Sequence, residues 1–340
     1  MKQDIKIRPV FEKLKSKAKE SKVNNESEYS FKSESKSITG RILGSIRYKL
    51  LISFFLPIIF IVILGFSAYS SASKSIVSTF KNSMINVINS TGNYYDVIMQ
   101  TVEDKAAQLS VDTNVWNYFS RMYKGEIVEE AEALKKIKNI VSSMALSDKY
   151  IENIAIFTDY GQPVSSYGSF KDKNPFETFK ATEEAAYITN NESNMVWSGY
   201  HHYMDEQLGI NPDSYAVSMS KKYLNKSASH IGYIQLDINR NIVEDTLRSL
   251  ELPKGSVVAF ISPDGREITG DGLSEESIFV DKKFYEEAMA SGIKNSDKTV
   301  KFKGKDYIFI YSKIGESKTM VGALVPSAAL TNKADSIKSM

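Results

Sequence analysis

Hydrophobic and polar positions follow three successive regimes along this 340-residue chain. From Leu50 to Tyr69 (LLISFFLPIIFIVILGFSAY) twenty residues pass without a charge. At about 1.5 Å of rise per residue, a helix of that length crosses the roughly 30 Å hydrocarbon layer of a bilayer. Residues 50–70 are therefore predicted to form a transmembrane helix, and Pro57 is tolerated in mid-span. A cleaved signal peptide is the competing reading, with Ala68, Ser70 and Ala72 as its small residues. Its apolar stretch is usually shorter, about 7–15 residues, and 49 residues precede this one.

The second regime has a period of seven. Val77, Met84, Thr91 and Ile98 form one series, and Ile88, Tyr95, Val102 and Leu109 form another, offset by four. With no Pro and only Gly92 inside, residues 72–118 read as one long helix. Its seam would pack lengthwise on a second helix of the chain or on the same helix of a partner subunit. A further helix is expected over 126–145, acidic at its start (Glu126, Glu129, Glu130) and basic later (Lys135, Lys136, Lys138), as its dipole favours.

From residue 150 the period falls to two. Strands are predicted at 151–158 and 164–167 around a turn at 160–163. Asn174, Pro175 and Glu177 read as cap, first turn and capping-box acid of a helix reaching about Tyr187. Strands follow at 194–198, 215–221 and 231–238. The order then recurs: helix 241–250, strand 256–262, a Pro263-Asp264-Gly265 turn, strand 267–269, helix 282–290, and strands 299–302, 306–312 and 319–325. Each set of three closing strands has short connections and should form an antiparallel meander. The expected fold class is α+β: a transmembrane helix, a long helix, then two PAS-like antiparallel-sheet modules. The repeat is one of element order, not of residues.

Charge adds an orientation. Residues 1–49 carry 13 Lys/Arg against six Asp/Glu, a net of +7, whereas 71–340 carry 30 against 35, a net of −5. Arg41, Arg47 and Lys49 flank the N-terminal side of the span, so the positive-inside rule leaves a basic, disordered tail in the cytoplasm and places 71–340 outside the cell membrane. No aromatic platform accompanies the tail's charge, so no nucleic-acid partner is expected.

The chain has no Cys, which removes thiol enzymes, iron–sulfur clusters and Cys-based zinc sites. No P-loop, dinucleotide fingerprint, HExxH or G-x-S-x-G elbow occurs. The two SxxK strings, Ser71–Lys74 and Ser218–Lys221, lack the companion elements of a penicillin-recognising enzyme. No catalytic residue, cofactor or metal is expected. His201 and His202 are adjacent and would point to opposite faces of a strand. The segment Trp197–Gly209 (WSGYHHYMDEQLG) is the richest in candidate chemistry. Its aromatic walls with a few aimed polar groups suit a small-molecule pocket. Trp197, Tyr200, His202, Tyr203 and Asp205 are its candidate ligand contacts.

This arrangement resembles the extracytoplasmic sensor portion of bacterial, clostridial-type methyl-accepting chemotaxis proteins with a double Cache (dCache) domain. The strings that carry the resemblance are YKLLISFFLPIIFIVILGFSAYSSASKSI (48–76), WSGYHHYMDEQLG (197–209), IGYIQLDI (231–238), VVAFISPDG (257–265) and MVGALVPSAALTNKADSIKSM (320–340). The resemblance implies a helical stalk at 71–149, a membrane-distal ligand-binding module at 150–239, a membrane-proximal module at 240–330, and at 331–340 the approach to a second membrane helix. It also implies chemotaxis signalling through a cytoplasmic module, although the ectodomain of a sensor kinase or cyclase would look the same. In its amino-acid-binding subset the motif is Arg-x-Trp-Tyr, then Tyr-x-Asp, then Asp. Tyr187, Tyr203, Asp205 and Asp237 match, while Glu184 stands for the Arg and Ala186 for the Trp. An Arg there would clamp a carboxylate; with Glu184 the implied ligand is a cation, a neutral solute, or an amino acid seated differently. The expected partners are thus a small solute (amino acid, amine or other), the membrane, and a second copy in a homodimer through 77–109. A membrane-anchored hydrolase and a ligand-free scaffold are the readings of other classes.

Overall fold

The computed structural model describes residues 46–227, 229–274 and 276–330. The basic tail up to residue 45 and the segment 331–340 lie outside the described residues. Helix α1 runs Ile46–Val111 with Pro57 inside it. The chain divides into two compact units, Met1–Lys74 and Ser75–Met340. In the first, α1 is long and apolar enough to cross a membrane, and its side chains from Leu50 to Phe66 are exposed.

The second unit holds everything else. Helix α2 (Thr113–Phe119) and helix α3 (Ile127–Ser147) precede a five-stranded sheet of β1 (Ile151–Thr158), β2 (Val164–Ser165), β3 (Met195–Ser198), β4 (Tyr215–Leu224) and β5 (His230–Asn239). Helices α4 (Pro175–Lys180), α5 (Glu183–Asn190) and α6 (His202–Leu208) cover its front. After helix α7 (Arg240–Arg248) comes a six-stranded sheet: β6 (Val257–Ile261), β7 (Glu267–Thr269), β8 (Gly272–Leu273), β9 (Asn295–Phe302), β10 (Lys305–Ile314) and β11 (Thr319–Pro326), fronted by helix α8 (Lys283–Ala290). The strand orders are β2-β1-β5-β4-β3 and β8-β7-β6-β11-β10-β9, with every pairing antiparallel. Both expected meanders are present, and the two modules share one topology.

The seven-residue seam packs inside the chain. Met84, Ile88, Tyr95, Ile98, Val102 and Leu109 lie in one core with the backs of both sheets and with α3. The Tyr95 hydroxyl donates to Val243 O at 2.9 Å, and its ring meets Phe260 edge-on at 5.1 Å. Gly92 sits against Ser312, whose Oγ is 2.1 Å from where a Cβ would lie. The seam is therefore taken up by the chain's own core, so a homodimer through 77–109 would have to use another face of α1, where Val97 is 60 % exposed.

Three local expectations also change. The helix predicted over 72–118 stops at Val111, because Asp112 turns out of it and its carboxylate accepts from Asn114 N (2.8 Å) and Val115 N (3.1 Å), capping α2. The helix expected from Asn174 splits in two at Thr182, whose hydroxyl donates to Phe179 O and accepts from Ala185 N. The capping box does not form: the Asn174 side chain makes no cap bond, and Glu177 lies 4.0 Å from Lys180 instead.

Candidate functional site

The two modules correspond residue by residue at one edge, beyond the element order the sequence suggested. Lys222 N donates to Asn194 O at 2.8 Å, and Lys313 N donates to Lys294 O at 2.9 Å. The Lys222 ammonium caps the end of α5 on Thr189 O and Asn191 O, and that of Lys313 caps α8 on Met289 O and Ser291 O. Counting back from these lysines makes Ser220 equivalent to Tyr311 and Ser218 to Phe309. Across the ladders, Gln235 opposite Ser220 is equivalent to Gly322, and Asp237 opposite Ser218 to Leu324. Alternate residues of a strand share one face, so these four positions form the front of each sheet. In the second module the front is filled: Phe309 packs on Phe284 (4.7 Å between centroids) and Tyr311 (5.5 Å). In the first module the small polar set leaves a cavity of about 330 Å³.

Glu184, Tyr187, Ser198, Tyr200, Ser220 and Gln235 line this cavity, together with Asp264 and Lys318 from the second module. Gln235 Nε2 donates to Ser220 Oγ at 3.0 Å, while Gln235 Oε1 and Ser218 Oγ are buried without a hydrogen-bond partner. A buried unpaired polar group costs roughly 1–3 kcal/mol. Two of them on one face, one lining a cavity, mark a surface built to meet a polar group. Glu184 brings a carboxylate to the wall and accepts from His202 N (2.6 Å) and Tyr203 N (3.4 Å) at the start of α6.

His201 forms the floor. The chain bends at Gly199, His201 takes the N-cap position of α6 without a side-chain cap bond, and Gly209 closes that helix in the left-handed conformation at φ 67°. The imidazole is 3 % exposed, with Nε2 2.8 Å from Asp237 Oδ1 and Nδ1 3.1 Å from Asp205 Oδ1. It stacks on Tyr215 at 4.4 Å; the Tyr215 hydroxyl donates to Asp205 and accepts from His201 N. Asn153 donates to the other oxygen of Asp237. Burial by itself pushes the His201 pKa down, but Asp237 and Asp205 together outweigh it and hold it up at about 10. The floor is thus an imidazolium between two carboxylates.

A turn from the second module closes one side. Asp264 accepts from Tyr200 N at 3.0 Å and from Ser262 Oγ, and its Oδ2 forms an ion pair with Arg266 Nε at 3.3 Å. Burial pushes the Asp264 carboxyl up, but the Ser262 bond and the Arg266 charge prevail and hold it below its ordinary range. Arg266 lies 3.6 Å above the Tyr200 ring and donates to Ala216 O at 2.8 Å. Gly199 permits the approach, since a Cβ there would fall about 2 Å from the Asp264 carboxyl. Gly199→Ala should therefore loosen this contact at a cost of about 1–3 kcal/mol, the range for overpacking a close-packed site. A thermal melt of the full chain that does not move would show that the turn adapts freely.

Of the sequence-predicted site residues, the structure gathers Tyr187, Trp197 and Tyr200 at the cavity and Asp205 and Asp237 beneath it. The Trp197 indole leans to the back of the sheet and donates to Glu103 at 2.7 Å. Tyr203 is core: it packs on Phe179, and its hydroxyl donates to Pro175 O. His202 is exposed, its backbone N–H bonds Glu184 and its ring stands 6.0 Å from that of Tyr200, so the inward histidine is His201, because the segment is a helix start and not a strand. Sequence reasoning missed Ser218, Ser220, Gln235, Asp264 and Lys318. The small residues of β4, set against the aromatic ones of β10, were the signal available.

No family model matches the chain, and no curated protein is similar to it. Solved structures do share its fold. The extracellular domain of mmHK1S-Z2, described as a histidine kinase, aligns at 12% identity and a TM-score of 0.54, covering 74% of this chain and 98% of that one. The ligand-binding domain of Campylobacter jejuni chemoreceptor Tlp3 in complex with L-valine aligns at 11% and 0.51, covering 76% and 97%. A domain of a sensory box/GGDEF family protein from Vibrio parahaemolyticus aligns at 14% and 0.51, covering 75% and 99%.

Proposed function

We propose that residues 75–330 are the extracytoplasmic sensing domain of a transmembrane chemoreceptor, held by a span at Leu50–Tyr69 with its basic tail in the cytoplasm. The sheet of β1–β5 is the membrane-distal, ligand-binding module, and the sheet of β6–β11 is the membrane-proximal one. The observation that carries this reading is the contrast between equivalent sheet fronts: Phe309 and Tyr311 fill one, while Ser218, Ser220 and Gln235 leave the other open with buried polar atoms unpaired. The shared fold with sensor domains, one of them a chemoreceptor's, agrees with it. Its kinship with mmHK1S-Z2 keeps a sensor kinase as the second reading of the output.

The ligand is a small solute that offers N–H donors, an amine foremost. Gln235 Oε1 and the Glu184 carboxylate are acceptors, and Tyr187 supplies a ring that favours a cation, as Tyr200 already does for Arg266. His201 bridges Asp205 and Asp237 beneath the cavity, and one cation between two carboxylates leaves the floor with a net negative charge that also favours a cation. Ser218 and Lys221, the serine and lysine of one SxxK string, lie three residues apart on β4 and so point to opposite faces. They cannot form a nucleophile–base pair, in keeping with binding and not catalysis. A ligand touching Gln235 in one module and Asp264 or Lys318 in the other favours one arrangement of the two, and α1, packed behind both sheets, carries that preference.

The test is a thermal-shift screen of the full chain in detergent micelles against amines, amino acids and neutral solutes. At 100 times its dissociation constant a ligand should stabilise by about 2.7 kcal/mol, and Gln235→Leu should erase the shift. A hit that survives Gln235→Leu unchanged would put the ligand elsewhere.

A further inference from the structure

The back of the first sheet has a cavity that the sensing site does not use. Along β4, Ser218 and Ser220 face forward, so Val217, Met219, Lys221 and Tyr223 face back, and all of these but the lysine join the core behind the sheet. Where β4 ends, Lys221, Tyr223, Leu224 and Lys226 enclose about 450 Å³ with Trp116 of α2 and the last residues of α1. This is within the size range of small-molecule sites, about 300–1,000 Å³.

Its chemistry has one sign. Three lysines line it and no carboxylate does. Lys222 is committed to capping α5. Lys226 stands 5.8 Å from the Trp116 ring centre. Lys221 is half-buried with no ion-pair partner among the described residues, and burial lowers its pKa, a cost that a bound anion would reverse. Tyr223 is 1 % exposed, and its hydroxyl has no hydrogen-bond partner. Burial pushes the Tyr223 phenol up, with a smaller push from Asp112, so it remains a donor at neutral pH. Asp112 is the acid whose charge acts on that hydroxyl, and its Oδ1 is occupied by the N–H groups of Asn114 and Val115. Lys221, which has no acceptor, and Tyr223, whose buried hydroxyl has no partner, are therefore neighbours along one cavity, beside Trp116.

We propose that this cavity binds a small organic carboxylate, its charge held by Lys221, Lys226 and the Tyr223 hydroxyl and its apolar body laid along Trp116 and Leu224. Charge-assisted bonds to two cations and a hydroxyl supply the affinity, and the indole face selects a flat or apolar body. No residue lines both this site and the sensing cavity, so the assignment does not depend on what that cavity binds.

The chain has two tryptophans, so Trp197→Phe leaves Trp116 as the sole indole reporter. Titrating that full-length variant in detergent micelles with 4-nitrobenzoate, which quenches a neighbouring indole, should give saturable quenching. Nitrobenzene, of the same shape without the charge, should quench only in linear proportion to its concentration. Lys221→Met and Tyr223→Phe should each raise the half-saturation concentration about tenfold, as the loss of one charge-assisted bond does. Tyr223→Phe removes a single oxygen, and an unchanged melting temperature separates its effect from misfolding. Gln235→Leu, on the front of the sheet, should leave the titration as it was. Linear quenching by 4-nitrobenzoate, indifference to both back-face substitutions, or loss of binding in Gln235→Leu would each overturn the site.

Discussion

Ser220→Tyr should abolish ligand binding at the front cavity, weakening it at least a hundredfold, while the protein stays folded. The equivalent position of the second module already holds such a ring: Tyr311 packs on Phe309 and reaches Ser291 Oγ at 3.2 Å. Ser220 is fully buried, yet it lines an open cavity of about 330 Å³, so the new phenol enters space and not packed atoms. The ring buries its own apolar area at roughly 25 cal/mol per Å², which offsets the lost bond to Gln235. The melting temperature should therefore hold or rise. Ser220→Ala is the companion, removing one hydroxyl and costing about tenfold or less in affinity, as one hydrogen bond does. Isothermal titration of both full-length variants with whichever compound the thermal screen identifies gives the comparison. Binding at wild-type strength in Ser220→Tyr would remove the front cavity from consideration.

His201→Ala should be the most destabilising substitution in the site. It leaves Asp205 and Asp237 buried without their cation, and breaking a buried pair from one side costs on the order of 3–5 kcal/mol. For a unit of this size that is a fall in melting temperature on the order of 10 °C. Its pH dependence has a definite direction. The folded pKa of His201 is raised to about 10, whereas an unfolded histidine titrates near about 6.5. The native state therefore holds a proton that the unfolded chain releases. The stabilisation is complete below about pH 6.5 and fades as pH rises towards 10. Melting curves of wild type and variant should differ most near pH 6–7 and converge towards pH 10. A gap that stays constant across that range would mean the imidazole is neutral and only packs.

Much of this architecture was legible in the sequence because it rests on short-range periodicity. A twenty-residue uncharged run reads as an apolar helix, and the largely apolar runs at 231–238 and 319–325 identify buried central strands wherever the chain later places them. The short links between closing strands left the meanders little choice, and the turn at Pro263-Asp264-Gly265 was plain from its residues. The local errors came from side chains that compete with the backbone. Asp112 and Thr182 offer caps to helices whose apolar period runs through them, and the period alone does not register the break.

The site was less legible. Tyr187, Tyr200, Asp205 and Asp237 were singled out, but their roles depend on contacts between residues far apart in the chain. The inward histidine is His201 because a helix begins there and because Asp237, thirty-six positions later, comes to lie against its Nε2. The seam of α1 could have met a helix of a second copy; it meets the backs of two sheets because those sheets, once formed, expose apolar rows of matching length. Gln235 and Ser220 look unremarkable in sequence, and only the ladder that pairs them, set beside its aromatic counterpart in the second module, shows an opening. The sequence alone determined a helix apolar and long enough to cross a membrane and the two antiparallel meanders, since these follow from local hydrophobic period and turn chemistry. Tertiary structure decided which module is hollow, which charges neutralise one another and which faces remain free, because burial and ion pairing are set by neighbours in space that no local pattern records.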